Sequence, residues 1–213
     1  MGRMEALATD RLRMVAGRAP GGLALVQELI NTRGLASPGD TARLPDLLED
    51  PETANPWLHA ALAQWSERTG QRAPELHLAE TDLSPLRKLR ESLRTLTTAG
   101  NAHTAATDVL AEAARSGLPS SASLTLRIGP DGRVGHTTTA TGWRGVAALV
   151  TGEILLAQHS GSWPRFKTCA FPTCGVAYYD ESRNNSRVWH DVRICGNRTN
   201  LAASRQRRKE AAV

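Results

Sequence analysis

The sequence lacks several features that would place a protein in a specialised class. It has only three cysteines among 213 residues, which is too few for a disulfide scaffold. It has no run of about 18 apolar residues, so we predict no membrane span. The first 20 residues contain no continuous apolar segment, and we therefore expect no secretory signal and a reducing, cytoplasmic location. With 40% hydrophobic residues the chain can still build a core.

Charge and aromatic residues are unevenly distributed along the chain. The net charge of the whole sequence is +5, yet residues 165–213 alone carry +6 and residues 1–164 carry −1. Six of the nine aromatic residues and all three cysteines also lie within residues 163–213. This distribution indicates a nearly neutral body followed by a small, basic, cysteine-bearing C-terminal module.

The spacing of apolar residues predicts a mostly helical body. One segment of the body has a strand pattern instead. Residues from Ser123 to Ile128 alternate in polarity and are followed by a Gly-Pro-Asp-Gly turn, and together these features predict a β-hairpin. We expect Asp82 or Ser84 to cap the helix that contains 86–96. Helices are predicted over 23–32, 42–49, Pro56 to Gly70, 86–96, 104–116 and 142–158.

The cysteines belong to a pattern typical of a metal site. Four residues lie between Cys169 and Cys174, fifteen between Cys174 and His190, and four between His190 and Cys195. Three thiolates and one imidazole are a standard closed set of ligands for one structural Zn²⁺. A module of this size also needs a metal or disulfides to fold. A pair of buried free thiols and a redox couple are the alternatives, and no thioredoxin-like context supports the second.

The residues around these ligands resemble the CGNR-type zinc finger. That family has a Cys pair, an aromatic-x-Asp-x-Ser segment, an Arg, Trp-Cys, then Cys-Gly-Asn-Arg and a basic helix. This chain has Tyr178 to Ser182 and Cys195 to Arg198 in the same order, but His190 stands where the family has the cysteine after Trp. Histidine is also a zinc ligand, so we expect a Cys3His site. Structural support of the finger is predicted for Asp180, Trp189, Gly196 and Asn197, with Asp180 pairing with Arg187 or capping a turn and Asn197 bonding backbone near the helix start.

The body carries a looser resemblance. Ile30-Asn31-Thr32 is similar to the hydrophobic-Asn-Thr segment of the ABATE-like domain that precedes such fingers, and the predicted helices and hairpin follow its order. Proteins of this architecture are bacterial and are regarded as stress-linked transcription regulators. The resemblance therefore implies a DNA-binding protein of the bacterial cytoplasm, associated with the nucleoid when bound to DNA.

The basic residues of the module are the candidates for contacting DNA. Guanidinium groups bind phosphates and guanine in a bidentate manner. The alternative is a solvated basic tail, and Arg198 has a second alternative in bonding carbonyls within the finger. The predicted nucleic-acid-binding residues are Arg183, Arg187, Arg193, Arg198, Arg205, Arg207, Arg208 and Lys209.

The body shows no catalytic motif. It has no H-E-x-x-H, G-x-S-x-G or phosphate-binding glycine motif, so we predict no enzymatic activity, and Trp57, Trp65 and Trp143 are expected in the core. The predicted fold is α+β and mostly helical, with a flexible segment 1–20, an α-rich domain 21–162 with one β-hairpin, and a zinc-finger module 163–213 made of a knuckle, a hairpin and a helix.

This organisation predicts a DNA-binding transcriptional regulator. Its structural zinc finger contacts DNA, and its N-terminal domain senses a small-molecule ligand or mediates dimerisation as a homodimer. The alternative function is a zinc-stapled protein–protein or RNA-binding module without sequence-specific DNA recognition.

Overall fold

The computed structural model describes residues 17–34, 45–99, 118–201 and 208. A 3-10 turn, Trp163–Arg165, lies directly before Phe166, and a π-helical turn, Val192–Gly196, leads into helical residues 197–201. The architecture confirms the predicted α+β, mostly helical class. The longer elements are α1 (Leu23–Ile30), α2 (Pro51–Thr69), α3 (Glu80–Ala99), β1 (Thr125–Ile128), β2 (Val134–Thr137), α4 (Gly142–His159), β3 (Phe166–Thr168) and β4 (Ala177–Tyr179).

The start of α2 differs from the prediction. The helix begins at Pro51 rather than Pro56, because the Asp50 carboxylate accepts a hydrogen bond from the Thr53 N–H at 2.7 Å. Pro51 occupies the first turn, where a missing N–H costs nothing, and Pro56 lies inside the helix. Gly70 ends it with a left-handed φ of 68°.

Two further predicted boundaries are also wrong. Residues 45–50 form turns and bends instead of the helix predicted over 42–49, because Asp46 Oδ1 accepts the Leu48 N–H and stabilises a local turn. The α3 helix begins at Glu80, and Asp82 lies within its first turn, where its carboxylate accepts the Ala79 N–H at 2.9 Å. The helix predicted over 104–116 lies outside the described residues.

The helices pack around one apolar core. Trp57 and Trp65 are buried in it and Trp143 packs against its edge, which confirms their prediction as core residues. Phe166 of β3 and Ala177 of β4 belong to the same core. The strands of the C-terminal module thus lie against the body. Within the described residues no helix is long and apolar enough to cross a membrane.

The predicted hairpin is confirmed. The antiparallel strands β1 and β2 pair Thr125 with Thr137 and Ile128 with Val134. All four residues of β1 are exposed, whereas His136 of β2 is buried against the body. The hairpin therefore extends from the body and is anchored mainly through β2.

Candidate metal centre

The β3–β4 hairpin positions the first two ligands. Cys169 directly follows β3, and its N–H donates to the Val176 carbonyl at 2.8 Å. Cys174 closes the intervening turn by donating its N–H to the Phe171 carbonyl at 3.0 Å. Gly175 then adopts a φ of 70°, a left-handed conformation that lets the chain turn back into β4. The turn chemistry thus directs both thiols toward one point.

The second pair of ligands lies at the start of the C-terminal helical segment. Asp191 caps this segment, since its carboxylate accepts the N–H groups of Arg193 at 2.7 Å and Ile194 at 3.1 Å. The Cys195 N–H donates to the Asp191 carbonyl at 2.9 Å. This turn brings Cys195 back beside His190.

The four predicted ligands come together in a buried cluster. The ligand atoms of Cys169, Cys174, His190 and Cys195 all lie within 4.8 Å of one another. His190 Nδ1 lies 3.3 Å from Cys174 Sγ and 3.7 Å from Cys195 Sγ. Ligands about 2.3 Å from a tetrahedral ion are separated from one another by about 3.8 Å, so these spacings fit Zn²⁺. The cluster is a single structural zinc site, as predicted.

The protonation of the thiols shows why the cluster favours a cation. A hydrogen bond from Cys174 lowers the pKa of the Cys169 thiol to about 4, and by donating this bond Cys174 has its own pKa raised. Burial raises the pKa of Cys195 to about 12. Without metal, the cluster therefore retains protons to limit charge repulsion. A divalent cation replaces those protons, so that its affinity is linked to pH.

A buried ion pair organises the loop that leads to His190. Lys167 Nζ lies 2.7 Å from Asp180 Oδ2, and both side chains are buried. Lys167 also donates to the carbonyls of Asn185 at 2.7 Å and Arg187 at 3.2 Å. The Asp180 carboxylate accepts the N–H groups of Ser182 and Arg187 at 2.9 and 2.8 Å. These bonds hold an irregular segment in one conformation.

The structure refines the role predicted for Asp180. Its carboxylate caps the turn, as predicted, but bonds only the backbone of Arg187; Lys167 supplies the cation. Burial acts to raise the pKa of Asp180, yet the hydrogen bonds from Lys167, Ser182 and Arg187 outweigh it and lower the pKa to about 2. Sequence reasoning missed Lys167 because no motif connects the two residues.

The predicted DNA-contacting residues fall into distinct environments. The Arg187 guanidinium donates to the His190 carbonyl at 2.6 Å and lies 5.6 Å from the Tyr178 ring centroid, so it supports the ligand loop. Exposed side chains are found for Arg183, Arg193, Arg198 and Arg208, whereas Arg205, Arg207 and Lys209 lie outside the described residues.

Two of the predicted support residues act through packing. A Cβ on Gly196 would lie only 3.2 Å from both Trp189 and Val192, so glycine allows the indole to cover the ligand cluster. The Asn197 side chain is exposed, and Asp191 provides the cap at the helix start; the backbone bond expected of Asn197 stays a prediction.

The Ile30-Asn31-Thr32 segment at the end of α1 connects the body to the module. The Asn31 amide donates to the Ala177 carbonyl at 3.0 Å and accepts the Ala177 N–H at 2.9 Å. Gln27 Nε2 donates to the same carbonyl at 3.1 Å. The Asn31 side chain thus bonds both the N–H and the carbonyl of Ala177 in β4. Sequence reasoning singled out Asn31 through a resemblance but did not identify this contact.

The comparisons with known proteins agree with this geometry. A search of curated proteins finds no match to the chain. The CGNR zinc finger family model matches residues 165–208, which include all four ligands as well as Lys167, Asp180 and Trp189. The resemblance of residues 21–162 to an ABATE-like domain stays a prediction. Residues 165–208 are thus similar to the CGNR zinc fingers. In this chain the zinc site has three cysteine ligands and one histidine ligand, His190.

Proposed function

We propose that the protein is a DNA-binding transcriptional regulator whose zinc module contacts DNA and whose body senses a ligand or mediates dimerisation. The observation that carries this proposal is the placement of exposed arginines around a buried zinc cluster. Arg183 precedes His190, while Arg193 and Arg198 flank Cys195 on the helical segment. The proposal places the protein in the bacterial cytoplasm.

The chemistry of the site supports binding rather than catalysis. Three thiols and one imidazole fill the four positions of a tetrahedral zinc ion, which leaves no open position for substrate. The surface of the module is therefore the part that can bind a partner, and residues 165–213 carry a net charge of +6. Arginines on a metal-ordered scaffold contact phosphates with a smaller loss of backbone entropy than arginines on a free tail.

A second candidate function is a protein- or RNA-binding module. Its support is a set of exposed apolar side chains in the same segment: Val192 is 53% exposed, Ile194 38% and Leu201 56%. Phosphate contacts do not require apolar side chains, whereas a protein partner buries them.

Fluorescence anisotropy with zinc-loaded, full-length protein tests the proposal. If about five phosphates are contacted, the logarithm of the affinity for duplex DNA falls with the logarithm of salt concentration at a slope near −4.5. We expect Arg193→Gln and Arg198→Gln to make this slope smaller in magnitude. Lys88 is exposed on α3 in the body, so Lys88→Gln serves as the control and should leave the slope unchanged. Absent or salt-insensitive DNA binding by the zinc-loaded protein would refute the proposal. Preferential displacement of DNA by single-stranded RNA would favour the second candidate.

A further inference from the structure

A cavity in the body is separate from the zinc centre. It measures about 1000 Å³ and lies between the β1–β2 hairpin and the connection that follows α2. It runs along the outer edge of β2, where Gln71 Oε1 accepts the His136 N–H at 2.6 Å. Pockets for small molecules span about 300–1,000 Å³, so a compact organic ligand fits.

The wall of this cavity contains a buried polar group held in a fixed orientation. His136 lines the cavity and is 8% exposed, and its Nε2 lies 3.2 Å from Glu153 Oε1. Trp65 Nε1 donates to the same carboxylate oxygen at 2.6 Å, and the Trp65 ring packs edge-on against His136 at 5.7 Å. The Glu153 carboxyl group occupies the space that a Cβ on Gly22 would take. These contacts hold the imidazole in one place in the cavity wall, and a binding site needs side chains positioned in this way.

The charge along the cavity is positive. Arg72, Arg127 and Arg133 line it, opposed by Glu75 and Asp131. Asp131 is engaged in the hairpin turn, since its Oδ1 accepts the Arg133 N–H at 3.1 Å. The excess of guanidinium groups favours an anionic ligand.

The connection that follows α2 adds an apolar surface opposite these charges, where Ala73 and Pro74 line the cavity. A Cβ on Gly135, the cross-strand partner of Arg127, would meet the Gln71 side chain, so Arg127 and Arg133 lie on the hairpin face that is turned toward this connection. Ile128 and Val134 alternate with the two arginines and lie on the other face of the hairpin. An apolar group bound beside the arginines would cover Ala73 and Pro74.

We propose that this cavity binds a small amphiphilic anion. Its carboxylate or phosphate contacts Arg127 and Arg133 on one face of the hairpin, and its apolar part packs against Ala73 and Pro74 of the facing connection. The inference rests on the part of the proposed function that assigns ligand sensing to the body, and it names the site and the chemical class of the ligand.

Isothermal titration calorimetry of the zinc-loaded, full-length protein tests the inference with octanoate, octyl phosphate and neutral octanol as probes. We expect saturable binding of at least one of the two anions, and the stronger one identifies the head group. Octanol should bind about tenfold more weakly, as expected when a charge-assisted hydrogen bond is lost. Arg127→Gln and Arg133→Gln should weaken anion binding by a similar factor, whereas Lys88→Gln should not.

Three results would overturn the inference: no saturable binding of either anion, equal binding of octanol, or unchanged anion binding by both arginine variants. DNA titrations run without any amphiphile test the proposed function separately, because Arg127 and Arg133 lie in the body rather than in the zinc module. Failure of one proposal is therefore distinguishable from failure of the other.

Discussion

The body and the C-terminal module are stabilised by different means. The body buries apolar side chains from four helices around a common core. Within the described residues, the buried cluster of the module consists of Val176, Tyr178 and the three cysteine ligands. A cluster of this size cannot offset the conformational entropy of an irregular segment. The comparison shows that metal coordination and buried hydrogen bonds replace apolar burial in the module.

The β3–β4 hairpin belongs to both regions because its side chains alternate. On one face, Phe166 and Ala177 join the core of the body. On the other face, Lys167 pairs with Asp180 and Tyr178 packs against the ligand cysteines. Successive residues of a strand point to opposite faces, so one short hairpin serves two cores. The zinc module is therefore continuous with the body through its backbone and its packing.

Zinc removal should produce the largest difference in stability between the body and the C-terminal module. Structural zinc contributes on the order of 10–16 kcal/mol of apparent folding free energy at neutral pH, so chelation should unfold the module while the body keeps its helices. Metal analysis should find one zinc per chain, and Cys195→Ser should reproduce the effect of chelation. Far-UV circular dichroism and NMR of the chelated protein measure the outcome. A metal-free protein with a folded module would contradict the prediction.

Breaking the buried ion pair should have the next largest effect. Lys167→Met leaves Asp180 buried without its cation, which costs about 3–5 kcal/mol, and lowers zinc affinity because the loop before His190 loses its anchor. The double variant Lys167→Met/Asp180→Leu should be less destabilised than Lys167→Met alone. Denaturant unfolding and competitive zinc titration check both statements. Equal stability of Lys167→Met and the unchanged protein would refute the role of the pair.

The contact between the regions can be tested with a matched control. Asn31→Ala leaves the Ala177 N–H without its side-chain partner, at a cost of about 1–3 kcal/mol, while the Ala177 carbonyl keeps its bond from Gln27. Asn55 makes the same paired contact with the backbone of Leu78 inside the body, at 3.0 and 2.8 Å. Both variants should lose similar stability, but Asn31→Ala should also weaken zinc binding. Equal zinc affinity in the two variants would show that the regions are not coupled through Asn31.

The smallest effect is expected for an exposed arginine. Arg193→Gln should change the free energy of unfolding by no more than about 0.5 kcal/mol. If Arg193 contacts one phosphate, the salt slope for DNA falls in magnitude by about 0.9. Arg187→Gln should instead destabilise the module, because its guanidinium bonds the His190 carbonyl. Thermal unfolding measures the stability of both variants, and the salt series measures their DNA binding. A destabilised Arg193→Gln with an unchanged salt slope, or an Arg187→Gln of unchanged stability, would contradict these roles.

The sequence was most informative where chemistry depends on residue type and local spacing. The four zinc ligands could be predicted because three cysteines and a histidine are rare and closely spaced, and α4 and the first hairpin because their apolar periods are regular. Lys167 could not be predicted, since its pairing with Asp180 depends on the register of β3 with β4. The start of α2 was missed because Pro51 and Pro56 carry the same local signal, and the Asp50 cap decides between them.

One Zn²⁺ bound by three cysteines and one histidine organises the C-terminal module. Zinc K-edge X-ray absorption of the full-length protein tests it directly. The account predicts one zinc per chain with three sulfur ligands at about 2.3 Å and one nitrogen ligand at about 2.0–2.1 Å. His190→Ala should replace the nitrogen signal of the imidazole with that of a light-atom ligand and leave the three sulfurs. Fewer than three sulfur ligands, or an imidazole signal that persists in His190→Ala, would contradict it.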